Sequence, residues 1–181
     1  MRKLEVTEMG RMDVDSFHNS RKLPLTIILD DVRSLYNIGS VFRTSDAFRV
    51  ERVILCGITA TPETNLTEIH KTALGAEESV DWTYSSDCVE TITELKSQGY
   101  TCIAIEQVVD SVKLDEFHAD PSLRYALVLG NEVKGVNQQV VDLCDVSLEI
   151  PQFGTKHSLN VSVTAGMVIW TFASQLKKLL E

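Results

Sequence analysis

Short apolar runs recur along the chain between stretches of helical periodicity, and this alternation limits the possible folds more than any other feature. PLTIILD from Pro24, RVILC at 52–56, YTCIAIEQ, RYALVLG and VSLEIP are compact and bounded by polar residues, the pattern of buried strands. VDWTYS reads as a further short strand. In DVRSLYNIGSVFRTSDAF, the residues Ile38, Val41, Phe42, Ser45 and Phe48 suit one face of a helix beginning near Gly39. GITATPETN reads as loop, and TEIHKTALGAEESV as helix broken at Gly75. SDCVETITELKSQG has a serine N-cap and ends on Gly99, and NQQVVDLC is a short helix. SLNVSVTAGMVIWTFASQLKKLL is a long C-terminal helix whose lysines sit near the end, where the macrodipole favours them. Strands separated throughout by helices predict an α/β fold, a parallel sheet with helices on both faces. A length of 181 residues suits one sizeable core rather than two. Residues 1–22 are expected to form a short helix or arm ahead of one domain over 23–181. In such sheets ligands collect beyond the carboxyl ends of the strands, here the loops after Leu29, Leu129 and Ile150.

Several function classes are excluded by what these loops lack. There is no G-x-G-x-x-G or G-x-x-x-x-G-K-[ST] among the nine glycines, so neither a dinucleotide fold nor a P-loop is expected. No G-x-S-x-G or H-E-x-x-H occurs, and His18, His70, His118 and His157 do not pair at ligand spacing, so no metal is expected. Cys56, Cys88, Cys102 and Cys144 lie far apart and read as reduced core residues. No apolar stretch is long enough to cross a bilayer and the start turns polar early, which predicts a cytoplasmic protein without a membrane partner. The net charge of −9 argues at first against nucleic acid, but it is segregated. Residues 81–120 hold nine acids against Lys96 and Lys113, whereas residues 32–53 carry Arg33, Arg43, Arg49 and Arg52 against Asp46 and Glu51. A locally cationic face is therefore compatible with an acidic chain.

Three polar clusters follow predicted strands. In LDDVRSLYNIGSVFRTSDAF, Asn37 stands at a helix start and Arg43 further in, an arrangement able to hold an anion through free amides and a guanidinium fork. An N-cap and a surface arginine explain the same residues without a ligand. In LVLGNEVKGV, a strand runs into G-x-E-x-x-G, where Gly130 and Gly135 allow a sharp turn and close approach while Glu132 supplies an acceptor. A strand-ending turn with a solvated glutamate is the plainer reading. In LEIPQFGTKHSLNVSVTAGMVIW, Ser158 and Asn160 stand at the mouth of a helix. Ser158 reads as its N-cap, and Asn160 as a buried amide that needs partners.

Taken in order, N-x-G-x-x-x-R, G-x-E-x-x-G and I-P-x-x-G-x-x-x-S-L-N-V-S-V closely resemble the signature motifs of the TrmH (SpoU) family of SPOUT RNA methyltransferases, over residues 24 to about 178. The resemblance implies a C-terminal deep trefoil knot, a homodimer, and transfer of a methyl group from S-adenosylmethionine to a ribose 2′-hydroxyl of RNA. It implies that Gly130, Ile150 and Leu159 contact the cofactor largely through backbone groups. A donor without phosphate also needs no glycine-rich phosphate loop. Arg43 holds the central role in such families. Because arginine stays protonated, the role expected here is to grip the phosphate beside the target ribose and to stabilise developing charge. Asn37 would orient Arg43 or the ribose, Glu132 would hold that network, and Ser158 with Asn160 would fix the knot and the substrate edge. Ser45 and Gln152 depart from the usual family residues without removing a polar group used here. The lack of an appended RNA-binding domain favours tRNA over rRNA. Competing readings are a non-catalytic knotted RNA-binding or assembly protein, and a methyltransferase acting on a protein or small molecule.

Overall fold

The computed structural model describes residues 1–181, the side chain of Val6 excepted. Its strands are β1 (Leu23–Asp30), β2 (Val50–Cys56), β3 (Trp82–Ser85), β4 (Tyr100–Ile105), β5 (Val112–Lys113), β6 (Arg124–Leu129) and β7 (Val146–Glu149). They form one sheet of order β3-β2-β1-β6-β4-β7-β5, and every pairing is parallel. Both faces are buried, as continuous apolar strands require. Along β1, Leu25, Ile27 and Leu29 join one core while Ile28 joins the other, the two-residue alternation of a pleated strand.

The helices are α1 (Val14–Asn19), α2 (Leu35–Ala47), α3 (Pro62–Ala73), α4 (Ala76–Ser79), α5 (Cys88–Ser97), α6 (Gln138–Leu143) and α7 (Val161–Leu176). Residues of α2, α3 and α7 fill the core on one face, and α5 and α6 close the other. Turns of 3-10 helix lie at Val6–Met9 and Lys177–Leu180. No helix among the described residues is long and apolar enough to cross a membrane. The four cysteines are free, and burial pushes the thiols of Cys102 and Cys144 up to about 11 and about 12. Such thiols are protonated and inert at neutral pH.

Several local expectations are corrected. Helix α2 begins at Leu35 rather than near Gly39, because the Ser34 side chain caps it by accepting from the Asn37 N–H; Asn37 therefore lies inside the first turn. Helix α3 takes in PETN, which had read as loop: Thr61 caps it and Pro62 supplies a preset φ in the first turn, where its missing N–H costs nothing. Asp87, not a serine, caps α5 through the N–H groups of Val89 and Glu90. Asn160, not Ser158, caps α7. Strand β5 carries no sequence signal, since two residues have no periodicity; it exists only through pairing of Val112 and Lys113 with Leu148 and Glu149.

Gly39 sets how closely α2 and α3 cross. A Cβ there would lie closer than 3.0 Å to Thr72 Oγ1 and to the carbonyl oxygen of Ile69, and backbone cannot step aside. Gly39→Ala should therefore cost about 1–3 kcal/mol of stability despite the better helix propensity of alanine. Urea unfolding checks this, and an unchanged midpoint would refute the close crossing.

Candidate active site

The last strands of the chain do not add to the sheet edge. β6 enters between β1 and β4, and β7 between β4 and β5, which gathers the loops after β1, β6 and β7 at one end. Loop β1–α2 is pinned from below: Thr59 Oγ1 donates to the carbonyl of Leu29 (2.9 Å) and accepts the N–H of Val32 (2.9 Å). Asn131 joins it to the next loop by donating from Nδ2 to the carbonyl of Asp31 (2.8 Å).

One hydrogen-bonded chain then runs through all three motif segments. The Glu132 carboxylate accepts the N–H of Arg33 (3.1 Å), the N–H of Ser34 (3.0 Å) and the side-chain amide of Asn37 (3.2 Å). Asn37 Oδ1 in turn accepts from Asn160 Nδ2 (3.1 Å), and Asn160 Oδ1 accepts the N–H of Ser162 (2.9 Å). Both asparagines thus satisfy donor and acceptor sides at once; Asn37 is buried, whereas Asn160, expected as a buried amide, is exposed because it stands at the mouth of α7 as its cap. Burial pushes the Glu132 carboxyl up, but the hydrogen bonds from Arg33, Ser34 and Asn37 outweigh it and hold the group below its ordinary range.

A depressed carboxyl contributes stability above its unfolded-state value and loses it as pH falls through the folded-state value. Glu132→Gln should lower stability at pH 7 by about 1–2 kcal/mol, a hydrogen-bond figure reduced for solvent screening. The deficit should shrink as the buffer is taken well below pH 4.5, the ordinary value for this carboxyl. Denaturant titration at pH 7 and at acid pH reads both effects, and a deficit independent of pH would contradict the ionised network.

The turn after β6 is built on two glycines. Asn131 and Gly135 exchange backbone hydrogen bonds of 3.1 and 2.9 Å, and Gly135 has φ of 70°, a conformation that favours glycine. A Cβ on Gly130 would lie closer than 3.0 Å to the Gly135 carbonyl and the Val136 nitrogen. Beside this turn is a cavity of about 470 Å³ lined by Gly130, Glu132, Ile150, Ser158 and Leu159 among others. Asn37 and Asn160 do not line it; they follow Glu132 in the network, and Ser158 lines the cavity without joining that network.

Glu106, at the end of β4, was missed by the sequence reading. Its carboxylate accepts the N–H groups of Val136 and Gln107 (both 2.9 Å), and Gln107 Nε2 donates to the carbonyl of His157 (3.0 Å), tying the second and third loops together. The available signal was an acid placed directly after a buried run.

Arg43 is not part of this assembly. It lies six residues beyond Asn37, about 9 Å along the helix axis, is exposed, and lines a second cavity with Arg11 and Arg49. Among the described residues it has no hydrogen bond or ion pair. Asn37 therefore does not orient Arg43 within one chain; its side chain is taken up by Glu132 and Asn160.

The SpoU rRNA Methylase family matches residues 24–170. The chain belongs to this family. Over 160 residues, covering 86% of the chain, it is 35% identical to the 23S rRNA (guanosine-2'-O-)-methyltransferase RlmB of Neisseria meningitidis serogroup B. It is 34% identical over 163 residues to a Staphylococcus aureus protein assigned to the TrmH family of tRNA/rRNA methyltransferases. The chain spans 60% and 63% of the lengths of these two relatives. Among solved structures, the TrmH/SpoU tRNA modifying enzyme of A. aeolicus superposes with a TM-score of 0.78 at 25% identity, covering 91% of this chain and 83% of the other. An AdoMet-bound rRNA methyltransferase from Sinorhizobium meliloti shares the fold with a TM-score of 0.77 at 24% identity, over 93% of this chain and 62% of that one. This SpoU family member thus carries the family's sheet and its three motif segments, two of them at one cavity and the first joined to them through Glu132 and Asn160.

Proposed function

We propose that the chain is an S-adenosylmethionine-dependent RNA methyltransferase that modifies a ribose 2′-hydroxyl. The observation that carries this is the Glu132–Asn37–Asn160 chain, which couples three sequence-distant motifs next to one cavity that Glu132 lines. The cavity suits the donor. Its volume lies within the range of small-molecule sites, and its lining includes the carboxylates of Glu106, Glu132 and Glu149 against Lys134, with Glu149 paired to Lys113, a lining without surplus positive charge and so ill suited to a phosphate. S-adenosylmethionine, when bound, supplies an electrophilic methyl. Gly130, Ile150 and Leu159 would hold it through backbone groups, and Ser158 would fix the substrate edge.

The chain's own work is alignment and handling of the hydroxyl proton. Glu132, kept ionised by three N–H donors, is a weak base, and its role is to lock the loops. Arg43 would grip the phosphate beside the ribose and stabilise the developing oxyanion. Its separation from the cavity supports a homodimer in which one protomer's Arg43 serves its partner's cavity. Helix α7 offers a face for that contact: Val163, Met167 and Trp170 are 48, 42 and 58% exposed, and Gly166 faces open space. Ala165 is buried within the chain and takes no part. The insertion of β6 and β7 inside the sheet supports a deep trefoil knot through residues 130–135 and 151–157, an exception to the rule that chains avoid knots. Residues 1–22 would be an arm on the catalytic domain at 23–181, and the free cysteines suit the cytoplasm.

RNA is the substrate class, with relatives named for both tRNA and rRNA. The argument for tRNA, a missing RNA-binding domain, loses force for a chain spanning about three fifths of its relatives. Ribose methylation mapped across tRNA and rRNA from a deletion strain and its parent tests the proposal. One lost site names the target; identical maps, together with no calorimetric binding of S-adenosylmethionine, would sink the enzyme reading.

A further inference from the structure

The second cavity, of about 560 Å³, lies between the N-terminal arm and the face formed by α2 and the α3–α4 joint. Three arginines line it: Arg11 from the arm, Arg43 from α2 and Arg49 from the turn after α2. Arg11 and Arg43 have no hydrogen bond or ion pair among the described residues, and Arg49 spends one N–H on the carbonyl of Leu180 (3.1 Å). Three carboxylates line the same cavity, yet none is paired with these arginines. Asp13 caps α1 through the N–H of Ser16 (2.7 Å), Asp46 accepts from Ser79 Oγ (2.5 Å), and Glu78 is exposed. The lining is formally balanced, three arginines against three carboxylates, but Asp13 and Asp46 are held by their own hydrogen bonds and no carboxylate caps a guanidinium, so N–H donors are left open to the cavity.

The backbone around it is held in an uncommon conformation. Arg49 has φ of 50° and Leu74 φ of 54°, both left-handed at residues with a Cβ, and both line this cavity. Leu74 is the left-handed cap that ends α3, and the left-handed turn at Arg49 sets its guanidinium between the Leu180 carbonyl and the cavity that Arg11 and Arg43 also line.

We propose that this cavity is a binding site for the RNA phosphodiester backbone, in which Arg11 and Arg49 are positioning residues that grip phosphates flanking the one held by Arg43. The N-terminal arm is then part of the substrate site, and an acidic chain holds RNA through a confined set of uncapped arginine forks rather than a basic surface. This rests on the RNA-methyltransferase reading, because Arg43 is assigned to substrate there.

The test uses the full chain and RNA from a strain lacking the gene, with anisotropy for binding and methyl transfer for turnover. Arg11→Ala and Arg49→Gln should each weaken RNA binding about 5–10-fold and reduce the slope of log affinity against log salt by about 0.7–0.9, the effect of one lost phosphate contact. Donor affinity should not change. Arg11, exposed and without intrachain partners, serves as the variant free of folding effects, and melting curves control for Arg49. Wild-type affinity and slope in Arg11→Ala would overturn the site while leaving the enzyme reading intact. A wild-type chain that neither binds this RNA nor methylates it would overturn both.

Discussion

Gly130→Ala is expected to weaken S-adenosylmethionine binding by about 100-fold, roughly 2.7 kcal/mol, as read by calorimetry. The reason is packing of backbone against backbone. The added methyl would sit closer than 3.0 Å to the carbonyl carbon and oxygen of Gly135 and to the Val136 nitrogen. Relief would require opening the paired hydrogen bonds between Asn131 and Gly135, and with them the contact of Val136 N–H to Glu106. Overpacking at such a point costs about 1–3 kcal/mol, and here the cost falls on the turn that walls the donor cavity. Gly154→Ala is the control, since a Cβ there meets nothing within 4 Å and the backbone is unstrained. Equal donor affinity in Gly130→Ala and the wild type would refute the assignment of this cavity to the donor.

Arg43→Ala should lower single-turnover methyl transfer by about 100- to 1,000-fold while leaving donor affinity unchanged, the loss typical of removing one oxyanion-stabilising group. Arg43→Lys should recover only part, because a point charge does not reproduce the bidentate fork on phosphate. If Arg43→Lys is fully active and Glu132→Gln is dead with the donor still bound, Glu132 becomes the base and its low proton affinity must rise in the complex. The separation of Arg43 from the donor cavity adds a sharper test. Mixing Arg43→Ala with Gly130→Ala protomers should restore activity when the two groups act across the dimer, since each mixed dimer then holds one intact site. No restoration in verified mixed dimers would place both groups in one chain.

The α/β class was legible because alternation of apolar runs and helical stretches is a local property, written at periods of two and about 3.6 residues. The positions of Glu132, Asn37 and Asn160 were legible for a different reason: motif order carried them, although 95 and 123 residues separate the partners that meet. Caps were misread at Ser34, Asp87 and Asn160 because adjacent polar side chains compete for the same N–H groups, and the winner depends on where the preceding loop enters the helix.

By itself, the sequence determined most of the strands and helices, the buried face of α2, and which polar residues stand after strands. Only the tertiary structure decided that β6 and β7 enter the sheet interior, that Val112 and Lys113 become a strand, that Glu106 ties two loops together, and that Arg43 faces a different cavity from Glu132. The physical reason is range: side-chain periodicity reports on neighbours within a turn or a pleat, whereas strand order and convergence of loops are set by packing between segments tens of residues apart.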